Sequence, residues 1–153
     1  LHTHGPIDLV VLMLGTNDLK IRFQLTPNDI GKAIDRLIRM ILYITPQKRT
    51  DGKPSRILLL SPPHLGSNLR EMESGEEMGY ERGIEYSRRL APIYKKWAEF
   101  HGIDFLDAAR YAEPSELDAC HLSAESHRSL GEAAAVKCGE ILGIQPLQGC
   151  HQR

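Results

Sequence analysis

The chain has 153 residues, of which 41% are apolar and 25% are charged. This composition is typical of a globular protein and excludes collagen-like, coiled-coil and wholly disordered chains. Its 19 basic and 20 acidic residues leave a net charge of −1, so the composition gives no support for binding nucleic acid or an anionic membrane. At this length one domain is favoured over two.

Membrane insertion has no support in the sequence. The longest apolar run covers residues 7–14, contains Asp8, and is far shorter than the ~20 residues that a membrane-spanning helix needs. No basic segment followed by an apolar stretch opens the chain, as a signal peptide would. Because residue 1 is Leu rather than Met, we expect the natural start to lie upstream, where a signal could also lie.

The cysteines and the terminal histidines bear on compartment and cofactors. An odd number of cysteines without metal-binding spacing favours free thiols in a reducing compartment, and hence the cytoplasm. His2 and His4 form a His-x-His pair with no evident third ligand, so we expect no metal there. The cysteines are Cys120, Cys138 and Cys150.

Short apolar runs alternate with longer helical patterns. The runs at 7–14, 56–61 and 103–107 predict strands, and the first two are almost continuously apolar, as in parallel sheets buried on both faces. Alternation of strands with helices indicates βαβ units. Residues 1–144 are predicted to form one domain, followed by a loose tail at 145–153.

The first predicted helix has clear start and stop signals. Thr26 suits the N-cap, Pro27 the first helical position and Asp29 the capping-box position, and Thr45-Pro46 ends the pattern. An apolar stripe follows, formed by Ile30, Ile34, Leu37, Ile38 and Ile41.

Two further helices are predicted. The region 79–101 contains Pro92, which should kink or split the helix near Ala91. Its buried face is predicted to consist of Leu90, Ile93, Trp97 and Phe100. The last helix begins near Ser123 and stops at Gly143, with an apolar side formed by Leu130, Ala134, Cys138 and Ile141. Between the second strand and region 79–101, residues 62–78 fit either a mobile flap over a site or a solvated connection.

The first strand leads into Gly15-Thr16-Asn17-Asp18. Glycine permits a sharp turn, which would leave the Asn17 amide free at the carboxyl end of a buried strand. A preorganised amide N–H there can stabilise a developing oxyanion. The alternative is an Asn-Asp turn that only caps the strand end.

The second polar motif is Asp118-Ala119-Cys120-His121, in the loop before the last helix. A carboxylate three residues before a histidine can accept its Nδ1–H, which fixes the tautomer and stabilises the imidazolium. The alternative is an acidic residue at a helix entry beside an exposed histidine.

Together the two motifs resemble the SGNH (GDSL-type) hydrolases, most closely their arylesterase-like branch. The resemblance covers DLVVLMLGTNDLK (8–20), ILLLSPP (57–63), SRRLAPIYKKWAEFHG (87–102) and FLDAARYAEPSELDACHLSAESHRSLGEA (105–133). It implies a three-layer α/β/α sandwich with a parallel sheet, here lacking the first strands, and an esterase that uses Ser, His and Asp.

The resemblance also implies residue roles. Asn17 would be the side-chain donor of the oxyanion hole, His121 the general base and then acid, and Asp118 the residue that orients His121. Gly15, Thr16 and Asp18 would shape the turn that presents Asn17. One departure is Ala119-Cys120, where the family often has Gly followed by an apolar residue.

The larger departure concerns the nucleophile. The family's Gly-Asp-Ser motif and its second oxyanion donor precede the stretch matching GTND, where this chain has only Leu1 to Pro6. No Gly-Asp-Ser or G-x-S-x-G occurs elsewhere, and Ser61, Ser67, Ser74 and Ser115 carry no elbow signal. We therefore expect the C-terminal portion of an esterase, inactive alone because triad members act as a unit.

Two alternatives stay open. The chain could be a non-catalytic SGNH-like module that binds a ligand or partner through an exposed first strand. It could also be a doubly wound domain in which both motifs are coincidental. The leading hypothesis implies a small-molecule ester substrate and requires no cofactor, neither a metal nor an organic one. The composition gives no support for nucleic acid, and the oligomeric state stays open.

Overall fold

The computed structural model describes residues 5–144. It contains a parallel sheet in the order β1-β2-β3, formed by β1 (Leu9–Met13), β2 (Arg56–Ser61) and β3 (Asp104–Asp107). The helices are α1 (Pro27–Ile44), α2 (Ser74–Met78), α3 (Glu81–His101) and α4 (Ala124–Leu142). Short 3₁₀ turns cover Asn17–Leu19, Ile21–Phe23, Thr45–Lys48, Ser67–Glu71 and Ala108–Arg110. The predicted tail 145–153 and the pair His2 and His4 lie outside the described residues.

The central strand β2 explains the layered architecture. Ile57 and Leu59 pack into a core with α1 and α3, whereas Leu58 and Leu60 pack into a second core with α4. Successive residues of a strand point to opposite faces, so a continuous apolar run fills both cores. The predicted α/β/α sandwich with a parallel sheet is therefore confirmed.

The predicted boundaries of α1 and α4 are confirmed. Thr26 Oγ1 accepts a hydrogen bond from Asp29 N (3.3 Å), and Thr26 N donates to Asp29 Oδ2 (3.1 Å), which completes a capping box. Ser123 Oγ accepts from Ser126 N at the start of α4. The apolar stripe of α1 faces the core, with Leu37 only partly buried.

Helix α3 differs from the prediction in two respects. It runs unbroken through Pro92, so of the two predicted effects the split near Ala91 is wrong, whereas the kink stays a prediction. Pro92 lies on the exposed side of the helix. Phe100, predicted to be buried, is 68% exposed. Leu90 is buried as predicted, and Ile93 and Trp97 are partly buried against the core. The fully buried stripe of α3 consists of Gly83, Ser87, Leu90, Tyr94 and Ala98.

The position of Phe100 follows from helical periodicity. It comes two residues after the buried Ala98, and two residues at 3.6 residues per turn place it on the opposite side of the helix. There it packs edge-on against Trp97, with 5.9 Å between ring centroids. No helix among residues 5–144 has the length and apolar character that crossing a membrane requires.

Candidate active site

The turn after β1 holds Asn17 on the surface. Gly15 is buried and has φ +126°, a conformation that residues other than glycine rarely adopt. Asp18 N donates to Gly15 O (3.2 Å), and the 3₁₀ turn Asn17–Leu19 continues the chain beyond it. Within residues 5–144 the exposed side chain of Asn17 makes no hydrogen bond, so its amide can donate to a ligand.

The loop that carries Asp118 and His121 is closed at its base. Pro114 and Leu122 form an antiparallel bridge, and Ser115 N donates to His121 O over 2.7 Å. The loop therefore enters α4 from a fixed position.

Asp118 is the centre of this loop. Its Oδ1 accepts hydrogen bonds from Cys120 N (3.0 Å) and His121 N (2.9 Å), and its Oδ2 lies 2.5 Å from His121 Nδ1. These bonds, from the Cys120 amide first and then from the side chain and amide of His121, lower the pKa of Asp118 to about 2. The carboxylate is therefore ionised at neutral pH.

The imidazole of His121 is held at one nitrogen and open at the other. Its side chain is 86% exposed, and Nε2 has no hydrogen-bond partner among residues 5–144. Asp118 at Nδ1 favours the tautomer that leaves the Nε2 lone pair free to accept a proton.

Ala119, the departure from the family pattern, adopts the backbone conformation that glycine would favour. Its φ is +59°, in the left-handed region, and its side chain is fully buried. A non-glycine residue there costs roughly 1–2 kcal/mol. Its carbonyl accepts a hydrogen bond from Gly66 N over 2.8 Å, which helps to hold the loop in this conformation.

Residues 62–78 are the segment for which a mobile flap and a solvated connection are the predicted alternatives. This stretch, here called the bridging segment, is built from a 3₁₀ turn and α2 and buries Leu65, Leu69, Gly75 and Met78. It is therefore packed into the protein rather than being a solvated connection, and the flap stays a prediction.

The bridging segment contacts the surroundings of both motifs. Glu77 Oε1 pairs with Lys20 Nζ (3.1 Å), three residues after Asn17, and with Arg22 Nη1 (3.0 Å). On the other side, Ser74 Oγ donates to Asp118 O over 2.9 Å. Sequence reasoning missed this connection, because no motif marks Ser74 or Glu77.

The serines considered as nucleophiles have other surroundings. Ser61 is fully buried and donates to Asp107 Oδ1 over 3.0 Å, and Ser74 is engaged with Asp118 O. Ser115 Oγ lies 3.4 Å from Asp118 Oδ1, and Ser67 is exposed at the start of a 3₁₀ turn. No serine among residues 5–144 hydrogen-bonds to the imidazole of His121.

A second Asp–His pair has a different character. His101 Nε2 lies 2.6 Å from Asp35 Oδ1 between α3 and α1, and the His101 side chain is only 8% exposed. Burial raises the pKa of Asp35, but the hydrogen bonds from His101 and Arg39 outweigh it and leave the pKa lowered. This pair joins two helices and leaves no open imidazole face, so it is structural.

The thiols offer no alternative nucleophile near His121. Cys120 and Cys138 are free and partly buried, and Cys150 lies outside the described residues. Burial, followed by the nearby Asp118 carboxylate, raises the pKa of the Cys120 thiol. Residues 5–144 also contain no group of three or more His, Cys, Asp or Glu side chains arranged to hold a metal.

The α/β/α fold and the two motifs are similar to those of the SGNH class of hydrolases. A family model for GDSL-like lipases and acylhydrolases matches residues 1–129. The chain belongs to this family. The interpretation of the motifs as coincidences in an unrelated doubly wound domain is therefore wrong.

Solved structures agree with this assignment. An aryl esterase of Mycobacterium smegmatis is 31% identical, with a TM-score of 0.79 over 91% of this chain and 63% of that one. A carbohydrate acetylesterase of Sinorhizobium meliloti is 33% identical, with a TM-score of 0.79 over 91% of this chain and 63% of that one. The chain thus spans less than two thirds of the length of these structures. The comparison with curated proteins found no match.

Proposed function

We propose that this chain carries the proton-transfer pair and one oxyanion donor of a serine esterase that hydrolyses small carboxylic esters. His121 is the general base and then the general acid, Asp118 orients it, and Asn17 donates to the oxyanion. The observation that carries the proposal is the 2.5 Å contact between Asp118 Oδ2 and His121 Nδ1 beside an open imidazole face. Gly15, Thr16 and Asp18 form the turn that presents Asn17.

The reaction is acyl transfer through a serine ester. A serine Oγ attacks the ester carbonyl carbon while His121 Nε2 takes the hydroxyl proton, and the negative charge develops on the carbonyl oxygen near the Asn17 amide. Collapse expels the alcohol, which receives the proton from His121. Water then attacks the acyl-enzyme, again with His121 as base, and releases the acid and the free serine.

The attacking serine is proposed to lie outside residues 1–153. The sequence contains no nucleophile-elbow motif, and no described serine is bonded to His121. In a well-studied serine hydrolase, removal of the nucleophile costs ~10⁶ in kcat. We therefore expect negligible esterase activity from the 153 residues alone.

The substrate class is proposed from the family. One structural relative is described as an aryl esterase and another as a carbohydrate acetylesterase, which supports esters with a short acyl group. Free thiols at Cys120 and Cys138 support a reducing location, and we propose the cytoplasm.

The test is esterase activity on p-nitrophenyl acetate, a short-chain aryl ester. The 153-residue chain is compared with an N-terminally extended form that adds the strand–helix–strand segment carrying a Gly-Asp-Ser serine. The extended form should be active, and His121→Ala should abolish most of that activity. The matched control is His127→Ala, which removes an exposed histidine of α4 and should leave the rate unchanged. A folded but inactive extended form would refute the proposal.

A binding module is the second candidate, favoured by one observation. Within residues 5–144 β1 pairs only with β2, and Val11, Met13 and Leu14 are about half exposed. An apolar edge strand of this kind can pair with another chain. A genuine start codon near Leu1, together with an inactive extended form, would support this module over the esterase.

A further inference from the structure

Tyr94 reaches from the middle of α3 to the start of the Asn17 turn. Its side chain is fully buried, and its hydroxyl donates to Leu14 O over 2.8 Å. The strand ladder between β1 and β2 ends at Met13, one residue earlier. The carbonyl that leads into the turn is therefore held by a helix rather than by the sheet.

The Asn17 turn begins directly at the Leu14 carbonyl that Tyr94 holds. Gly15 follows Leu14 directly and lies so close to the tyrosine that a Cβ at residue 15 would stand 2.2 Å from Tyr94 Oη. Backbone bonds then run from Asp18 N to Gly15 O and from Lys20 N to Asn17 O. Asn17 itself is exposed, and its side chain has no partner within residues 5–144. The position of Asn17 therefore depends on the backbone of the turn, and the hydrogen bond from Tyr94 to the Leu14 carbonyl fixes where that backbone begins.

We propose that Tyr94 is a positioning residue for Asn17: its hydroxyl fixes the Leu14 carbonyl and thereby places the oxyanion-donating amide. This inference rests on the proposed role of Asn17 in ester hydrolysis. Oxyanion stabilisation depends on donors being fixed before charge develops, so a looser turn lowers the rate of the chemical step rather than substrate binding.

The kinetic test is Tyr94→Phe in the active, extended form. Removal of an oxyanion donor costs ~10²–10³ in kcat. Tyr94→Phe loosens the Asn17 amide without removing it, so we expect a smaller loss, about 10-fold in kcat, with KM unchanged. In the Asn17→Ala background Tyr94→Phe should have no further effect, because the amide it positions is already gone. An equal loss in both backgrounds would overturn the proposal.

Tyr86→Phe is the matched control. Tyr86 lies on the same helix, and its ring contacts the guanidinium groups of Arg82 and Arg89. Its hydroxyl makes no hydrogen bond among residues 5–144, so its loss should leave kcat and the turn unchanged.

Amide hydrogen exchange tests the positioning role of Tyr94 without a measurement of esterase activity. In the 153-residue chain, Tyr94→Phe should speed amide exchange at Asp18, Leu19 and Lys20 at least tenfold relative to the parent chain, whereas Tyr86→Phe should not. Unchanged exchange at these amides would overturn the proposal even if kcat fell. If the extended form is inactive, the esterase proposal fails, while the exchange experiment still decides whether Tyr94 holds the turn.

Discussion

Gly15→Ala tests the close approach between the Asn17 turn and α3. Two effects make this substitution costly. The φ of +126° strains any residue other than glycine, at roughly 1–3 kcal/mol. The added Cβ also lies 2.2 Å from Tyr94 Oη, and the tyrosine is fully buried and cannot swing into solvent. Overpacking of this kind costs about 1–3 kcal/mol.

Together the two effects should lower the free energy of unfolding by about 4 kcal/mol. For a chain of 153 residues this corresponds to a fall in Tm of roughly 8–16 °C. Urea unfolding followed by circular dichroism and by the fluorescence of the single tryptophan, Trp97, measures the change. Combining Gly15→Ala with Tyr94→Phe removes the clashing oxygen and should recover at least about 1 kcal/mol.

Two other glycines separate strain from steric clash. Gly102 also has positive φ (+62°), but no atom lies within 4 Å of a Cβ there, so Gly102→Ala should cost about 1 kcal/mol. Gly131 lies within α4 with open space around it, and Gly131→Ala should stabilise the chain by about 0.5–1 kcal/mol. If Gly15→Ala costs no more than Gly102→Ala, the proximity of Tyr94 is not what restricts residue 15.

Three further predictions concern stability. Thr26→Ala removes the capping box of α1 and should cost about 1 kcal/mol in urea unfolding; no change would mean that the cap is dispensable. Asp35→Ala leaves His101 buried without its partner and should cost about 2 kcal/mol in thermal unfolding, whereas a neutral result would contradict the structural role of this pair. The pKa of Asp118 is lowered from 3.8 to about 2, so its ionised form stabilises the fold above about pH 4, and this contribution is lost as the pH falls toward 2. Asp118→Asn should therefore lower the free energy of unfolding by only ~1 kcal/mol at pH 7, because the Asp118 side chain is 37% exposed and solvent screens its charge. The difference in unfolding free energy between the variant and the parent should shrink near pH 2, and a difference that stays constant with pH would refute the linkage.

Local patterns in the sequence predicted much of the fold. The strand at Arg56–Ser61 and the ends of α1 and α4 follow from neighbouring residues, because caps and strand periodicity act over only a few positions. The contact between Asp118 and His121 was predictable for the same reason, since the two residues are only three positions apart. The turn at Asn17 was likewise marked by its glycine.

Contacts between distant residues required the tertiary structure. Tyr94 and Leu14 are 80 positions apart, and Ser74 and Asp118 are 44 apart. Such pairs leave no periodic signal, because their meeting depends on how helices dock on the sheet. The exposure of Phe100 likewise depends on tertiary packing, because the docking of α3 determines which side of that helix faces the core.

The two Asp–His pairs show the same division. The sequence by itself indicated that Asp118 and His121 pair, but only the fold shows that His121 keeps an open face. Asp35 and His101 have the same chemistry and lie 66 residues apart, and helix packing buries them. Sequence spacing determines which groups can meet locally, whereas tertiary packing determines which of them solvent and substrate can reach, because burial depends on elements that are distant in the chain.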